Sequence, residues 1–308
     1  MPSTLDRIAR SLGQADIVDM LADLPGTDLQ SLLLAVAARR SARRQPADLM
    51  RDYEQSRFFG ASPLSWSDFA DWAALARDCA RDFEFLLLSP MAPLASCAAV
   101  ANVGQDWSVP TVRTGEVVSD PTNILALEAG LRRKHGQTGP LHLATMHRVI
   151  RPQAYADRRS LAHFSLFALV SSGRDTGSFN TEAGMIEKHF ATYLQAFRRF
   201  LGSAFPLSIS YTAGAGAMRE RQHEILRDFG ERHAVRVWHE ADRAAVDSYY
   251  AGFCFHIWAE LPSGRQQLAD GGTVDWVEKL SCNAKERTLI SGCGIDGLIA
   301  LRLREGAL

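Results

Sequence analysis

The chain has almost no net charge, no paired-cysteine motif, no membrane-length apolar run and no repeat, and each lack excludes a class of protein. Lys and Arg number 34 against 35 Asp and Glu, a formal charge of −1. There is therefore no overall basic field to hold nucleic acid. No apolar run reaches the length of a membrane span. The N-terminus, MPSTLDRIARSLGQAD, lacks the apolar core of a signal peptide, so secretion is not expected. The five cysteines (Cys79, Cys97, Cys254, Cys282, Cys293) are scattered and form no CxxC pair. That points away from a disulfide framework or zinc ribbon and toward a reducing cytoplasm. What remains is ordinary: 308 residues, 46% hydrophobic and 22% charged, enough for one large domain or two smaller ones with a sizeable core.

Residues 1–63 read as a helical N-terminal region. Ile8, Leu12, Ile17 and Leu21 recur at roughly helical spacing, Pro25-Gly26 breaks the run, and Thr27 or Asp28 is placed to cap a second helix. That helix ends in Arg39, Arg40, Arg43 and Arg44. The cluster is either an RNA or phosphate contact or a solvated helix end with favourable charge; the neutral chain favours the second. Pro46 opens a third helix, and Gly60-Ala61-Ser62-Pro63 reads as a linker. Ser65 or Ser67 then caps a helix carrying Phe69, Trp72 and Leu75, followed by a strand, FEFLLL, over 83–88. Asp120-Pro121-Thr122 is a helix start.

The centre of the chain is LHLATMHRVIRPQ, residues 141–153, and AHFSLFALVSSG, residues 162–173, two strands joined by the loop RPQAYADRRSL. Alternation puts His142, Ala144, Met146, Arg148 and Ile150 on one face. An arginine-rich hairpin loop suits an anion, because guanidinium groups bind phosphate and carboxylate bidentately; the plainer reading is a charged, solvated sheet edge. Beyond it come a long helix capped by Asn180 or Thr181, a strand from Leu207, a polar helix over 219–232, strands at 235–238 and 253–258, and a turn at Asp270-Gly271-Gly272. The last element, LISGCGIDGLIALRL, reads as a strand, a glycine-rich turn and a helix.

Other chemistry is weakly signalled. Cys254 and His256 share a strand face and His142 and His147 lie nearby, but no carboxylate or second His pair completes a metal set, so they read as packing residues. Cys293 precedes a helix, where a thiolate would be stabilised, yet packing explains it as well. Gly292-x-Gly294-x-x-Gly297 imitates a dinucleotide fingerprint without a following βαβ unit. Glu116, Asp120, Asp175 and Asp270 are the candidate acids, with Asp120 the best placed.

The order of these elements resembles the catalytic core of class II aminoacyl-tRNA synthetases, above all histidyl-tRNA synthetase and its paralogue, the ATP phosphoribosyltransferase regulatory subunit. The helix and strand up to Pro90 look like motif 1, the family's dimer element. Ser119-Asp120-Pro121-Thr122-Asn123 stands where the family has its "RPEGTA" turn. His147-Arg148-Val149-Ile150-Arg151-Pro152-Gln153 resembles the motif 2 pattern "FRxERPQ". Ser248-Tyr249-Tyr250-Ala251-Gly252 resembles "DYYTG", and Gly292-Cys293-Gly294-Ile295-Asp296-Gly297 stands at motif 3. The resemblance covers about residues 64–308 and implies an α+β core, an antiparallel sheet flanked by helices. It implies Arg148 as the catalytic, α-phosphate-gripping residue, with Arg151, Arg158 and Arg159 as further nucleotide contacts and Asp120, Thr122, Tyr249 and Tyr250 around the substrate.

The departures bear on function. Ile150 replaces the motif 2 glutamate, Ala162 and His163 stand where the second strand has an arginine, and the motif 3 arginine falls at Leu298 or Ile299. Ser248 replaces the acid of "DYYTG", and Ala244-Ala245-Val246 offers no histidine-specific arginine. Adenylyl transfer needs positive charge where negative charge develops. The expectation is therefore a cytoplasmic, homodimeric paralogue that binds an amino-acid or nucleotide-type ligand and does not charge tRNA, since the anticodon-binding domain that follows motif 3 in the family is not in the sequence. The alternative is an active ligase that uses ATP and Mg²⁺ to adenylate a carboxylate for a non-tRNA acceptor. A partner enzyme or acceptor protein is expected either way; tRNA binding through Arg39–Arg44 is the weakest reading.

Overall fold

The computed structural model describes residues 3–153, 161–202, 205–214, 216–240 and 249–305. Four helices come first: α1 Thr4–Leu12, α2 Ile17–Ala22, α3 Gly26–Ser41 and α4 Pro46–Gln55. None of the four buries a residue. Their connection to the rest is an extended root. Arg57 Nη2 donates to Pro152 O and Gln153 O, both at 2.6 Å, and its carbonyl accepts from Ala162 N. Gly60 O accepts from His163 Nε2 at 2.7 Å.

From residue 66 the order is α5 Trp66–Cys79, β1 Glu84–Phe85, β2 Met91–Pro93, β3 Val109–Pro110, β4 Gly115–Val117, α6 Pro121–Lys134, β5 Leu141–Ile150 and β6 His163–Arg174. Then come α7 Asn180–Leu201, β7 Leu207–Ala213, α8 Ala217–His233, β8 Arg236–His239, β9 Phe253–Leu261, β10 Gly264–Val274, α9 Trp276–Ser281, β11 Glu286–Gly294 and α10 Ile295–Glu305. Among the described residues, eight strands form one sheet in the order β1-β5-β6-β11-β10-β9-β7-β8. The pairs β1–β5 and β7–β8 at its two edges are parallel and the rest antiparallel. Strands β2, β4 and β3 make a small second sheet. The fold is α+β, as expected. No helix among the described residues is long and apolar enough to cross a membrane.

The sheet separates two cores. On its back face, α5, α7 and α10 bury Phe167, Leu169, Leu289 and Cys293 with Trp72, Phe190 and Phe197. Trp72 is the centre of an aromatic cluster, stacked on Phe197 and edge-on to Phe200 and Phe167. On the front face, α6 and α9 cover Leu141, Leu143, Ala168, Val170 and Ile290. Beside them Arg133, from the last turn of α6, donates through Nε to the buried Glu286 carboxylate at 2.8 Å, which also accepts from Ser172 Oγ at 2.5 Å. A buried ion pair this well bonded fixes geometry more than it adds stability.

A chain of hydrogen bonds crosses the back core. His142 Nδ1 meets Ser171 Oγ at 2.7 Å, Ser171 Oγ meets His189 Nε2 at 2.9 Å, and His189 Nδ1 meets Ser291 Oγ at 2.7 Å. Ser291 Oγ then donates to Tyr193 OH at 3.2 Å, and Tyr193 OH to Phe167 O at 3.5 Å. Burial, followed by the nearby His142, pushes the His189 imidazole well below its usual range, so it is neutral.

Four local expectations are corrected. The strand expected over 83–88 pairs only at Glu84–Phe85; by Leu87 the side chain is fully in solvent. Asp270-Gly271-Gly272 is not a turn but the middle of β10. A Cβ at Gly271 would lie 2.4 Å from Ile290 O, and one at Gly272 2.4 Å from Phe253 O, so glycine is required there for close approach rather than for reversal. No turn separates β11 from α10, and Gly292 and Gly294 belong to the strand. Neither α3 nor α7 uses the expected cap: α3 starts at Gly26 after Pro25, and α7 follows Phe179, which is left-handed at φ 61°. Thr181 Oγ1 instead donates to Arg174 O at 3.0 Å. Ser65 and Asp120 do cap α5 and α6.

Two outcomes test this core. Trp72→Ala should cost about 3–5 kcal/mol in urea unfolding. Trp72→Phe should cost less than about 2 kcal/mol, because the buried indole N–H has no partner among the described residues and its loss breaks no bond. The depressed His189 means that the unfolded chain binds a proton below about pH 6.5 that the folded chain refuses, so stability is present above that pH and lost below it. Each pH unit below should cost about 1.4 kcal/mol from this group, read from urea midpoints between pH 7.5 and 5.

Candidate functional site

Helices α6 and α9 leave the middle of the front face bare, and a cavity of about 450 Å³ opens there. Its floor is Ala168 on β6, Gly292 and Gly294 on β11, and Gly297 at the start of α10. A Cβ built on any of these three glycines meets nothing within 4 Å, and none has a positive φ. Neither backbone nor packing demands glycine at these positions; their effect is a flat, open floor.

The walls are polar and aromatic. Asp120 caps α6, its Oδ1 accepting from Thr122 N at 2.9 Å and from Thr122 Oγ1 at 2.7 Å. Its other oxygen faces Arg151 Nη2 at 3.4 Å. Arg151, one residue past the end of β5, also donates from Nε to Ser119 O at 2.9 Å, and its guanidinium lies 5.4 Å from the Phe164 ring centre. Across the cavity Tyr250 OH donates to Asp270 Oδ2 at 3.1 Å, and Tyr249 packs edge-on against Tyr250 and Trp276. Burial, and then the Asp120 and Asp270 charges, hold the Tyr249 phenol well above its usual range, so it stays a neutral hydroxyl. Trp107, Gln266 and Gln267 complete the rim.

Of the residues singled out in the sequence, Asp120, Thr122, Arg151, Tyr249 and Tyr250 come together around this cavity. Arg148 does not. His147 pairs with Leu166 and Arg148 with Ser165 across the hairpin, and Leu166 faces the cavity, so Arg148 faces the other way. It sits on the back of the sheet in a separate dent with Ser62, Trp66 and Asp296. There it donates to His163 Nδ1 from Nε at 3.0 Å and to Ser165 Oγ from Nη1 at 3.1 Å, and lies 3.7 Å from Asp296. A grip on a ligand beside Arg151 is closed to it by the pleat. Arg158, Arg159, Ser248 and residues 244–246 lie outside the described residues. Of the two positions expected for the motif 3 arginine, Leu298 lines the cavity and Ile299 is buried in the back core.

The other candidates have structural work. Glu116 accepts from Ala95 N and Cys97 N, both at 3.0 Å, and from Gln105 Nε2 at 2.6 Å. Burial raises its pKa, but these donors outweigh it and hold the carboxyl below its usual range. Asp175 pairs with Arg287 at 2.7 Å. Cys293 is wholly buried on the back face, and burial pushes its thiol up, away from thiolate chemistry. No group of three His, Cys, Asp or Glu among the described residues is arranged to hold a metal ion. A further front-face position is His147, which the sequence reads as a packing residue. Its Nε2 is buried with no partner among the described residues, and burial lowers its pKa, so the ring is neutral. Counting back in twos from Arg151 puts it on the cavity face.

With the geometry in place, comparison with known proteins is informative about fold. No family model matches the sequence, and no curated protein matches it. Solved structures do. Apo histidyl-tRNA synthetase from S. aureus matches at TM-score 0.60 and 12% identity, over 79% of this chain and 66% of that one. An ATP phosphoribosyltransferase regulatory subunit/histidyl-tRNA synthetase from Bacillus halodurans matches at 0.61 and 13%, over 79% and 82%. A structure from Cryptosporidium parvum, described as the RNA binding domain of threonyl-tRNA synthetase, matches at 0.58 and 10%, over 79% and 67%. The core has the class II aminoacyl-tRNA synthetase-like fold. The chain spans just under two thirds of the S. aureus enzyme. Likeness to both histidyl and threonyl enzymes means that this synthetase-like core does not by itself select an amino acid.

Asp120 serves both α6 and the cavity, and two substitutions separate these roles. Asp120→Ala should destabilise the fold by about 1 kcal/mol through loss of the cap. Asp120→Ser should retain most of that stability while removing the carboxylate opposite Arg151. Thermal unfolding of both variants beside the unsubstituted chain checks the split.

Proposed function

We propose that the front-face cavity binds an amino-acid-like small molecule, and that the chain is a class II synthetase-like paralogue that does not charge tRNA. The observation that carries this is the charge arrangement around the glycine floor. Asp120 and Asp270 offer two carboxylates to an ammonium group, Arg151 offers a guanidinium to a carboxylate, and Tyr249 and Tyr250 offer phenol rings and hydroxyls to the side chain. In this reading Asp120, Thr122, Tyr249 and Tyr250 are substrate-binding residues and Arg151 orients the acid end. Regulation of a partner enzyme, as a cytoplasmic homodimer, is the role that fits a pocket whose described lining holds Arg151 as its one arginine.

ATP with Mg²⁺ is the group that the fold family implies. The flat floor fits a planar base. For phosphates the described lining offers one cation, Arg151, already facing Asp120, and the start of α10 offers Gly297 and Leu298. The described residues thus suit the base and do not clamp the phosphates. The second reading, an adenylate-forming ligase with a non-tRNA acceptor, rests on the floor and on Arg158 and Arg159 of the hairpin loop. Bound there, ATP would activate a carboxylate, and Arg151 would hold that carboxylate in place.

The deciding experiment is ATP–pyrophosphate exchange with pooled amino acids and Mg²⁺, run beside thermal-shift scans with each amino acid and with ATP. The expected outcome is no exchange above background and a stabilising shift with an amino acid. Ligand at about 100 times its Kd adds ~2.7 kcal/mol. Gly294→Leu, which fills the floor where a Cβ meets nothing, should abolish that shift and leave the unliganded melting temperature within about 2 °C. Exchange above background would instead establish the ligase.

A further inference from the structure

Tyr249 and Tyr250 line the front-face cavity, and the next two residues, Ala251 and Gly252, line a second cavity of about 490 Å³. The two cavities share no lining residue. The second is formed by the starts of α7 and α8, the end of β10, α9 and the start of β11. Phe179, Met218 and Ala251 give it an apolar wall. Glu182, in the first turn of α7, gives it an acidic one and is only 8% exposed. Its Oε1 lies 3.5 Å from Arg287 Nε, and its Oε2 is buried with no hydrogen-bond partner among the described residues. Arg287 is committed elsewhere: Nη2 pairs with Asp175 at 2.7 Å, and Nη1 donates to Ala284 O and Glu286 O, both at 3.0 Å. A buried carboxylate oxygen without a donor is costly. Burial, ahead of every other influence, raises the Glu182 pKa. A cation beside the carboxyl favours its charged form.

The surroundings set the charge of the missing donor. The lining holds Glu182, Asp275, Glu278 and Glu286 against one cation, Arg287. Adding the groups paired with these, Asp175, Arg133 and Lys279, leaves five carboxylates against three cations. A neutral donor would satisfy the Glu182 oxygen, but only a cation also offsets that excess. Among the described residues no three of His, Cys, Asp or Glu are arranged to hold a metal ion, so the cation that fits is organic. The apolar wall suits an alkyl stem. We propose that this second cavity binds the ammonium group of an aliphatic amine, with Glu182 as its anchor. The site does not depend on the amino-acid reading of the front-face cavity. Asp120 and Asp270 offer carboxylates there too, so the test must tell the two cavities apart.

Calorimetric titration of the full chain with 1,4-diaminobutane tests it, beside 1,4-butanediol, which has the same stem and no charge. The expected result is saturable one-to-one binding of the diamine and none of the diol. Glu182→Gln keeps the shape of the side chain and removes its charge, and should weaken the diamine about tenfold or more. Met218→Lys, at a position 43% exposed on the cavity lining, offers an ammonium group from the chain itself and should weaken the diamine to a similar degree. A cooperative urea transition shows that each variant is folded. Gly294→Leu, which fills the front-face floor, should leave the diamine affinity within about twofold. No binding by the unsubstituted chain overturns the proposal. So does equal binding of the diol, or unchanged affinity in folded Glu182→Gln and Met218→Lys. Diamine binding that is lost in Gly294→Leu and kept in Glu182→Gln also overturns it, and assigns the amine to the front-face cavity.

Discussion

Everything in this molecule follows from the two-residue repeat of one mixed sheet. Side chains on β6 go alternately to a helical core behind and to an open face in front. Phe167 and Leu169 join Trp72 and Phe197 on one side, while Leu166 and Ala168 border the cavity on the other. Antiparallel pairing carries that alternation from strand to strand, so Ala168, Gly292 and Asp270 line up across three strands on the cavity side. A residue is thereby committed to one face or the other, and no rotamer brings it back. The cavity exists because α6 and α9 cover only part of the front, and because the uncovered stretch is paved with residues that have little or no side chain.

Glycine has two opposite uses on neighbouring strands. In β10, Gly271 and Gly272 are pressed so closely by Ile290 O, Phe253 O and the Tyr250 ring that no side chain fits. In β11, Gly292 and Gly294 face open space where any side chain fits. Gly272 lets Tyr250 reach across toward Asp270, and the second pair keeps the floor beneath it clear. A glycine in a strand costs stability, and here that cost is borne on two neighbouring strands.

Local chemistry was legible in the sequence, and long-range contact was not. Ser65 and Asp120 announce their helices because a cap acts within three residues. The hairpin over 141–174, the polar helix α8 and the order of elements follow from periodicity. Glycine, by contrast, reads as a turn unless one knows what lies across the strand, as at 270–272 and 292–294. Arg148 shows the same limit in another form. Its motif position implied a ligand contact, whereas the pairing of β5 with β6 puts Arg151 and His147 on the cavity side. The left-handed Phe179 before α7 carries no sequence mark, since the strain is held by contacts from elsewhere in the chain.

The buried chain from His142 to Phe167 has a property that its distances alone do not express. Tyr193 spends its hydrogen on a carbonyl, so Ser291 must give its own to Tyr193 and take one from His189 Nδ1. His189, being neutral, has no second hydrogen, so its Nε2 must accept from Ser171, which then takes one from His142. Every donor points the same way, from the sheet edge to the carbonyl of Phe167. The line is therefore polarised: one imidazole tautomer, read from the last link backwards, dictates the orientation of the Ser171, Ser291 and Tyr193 hydroxyls.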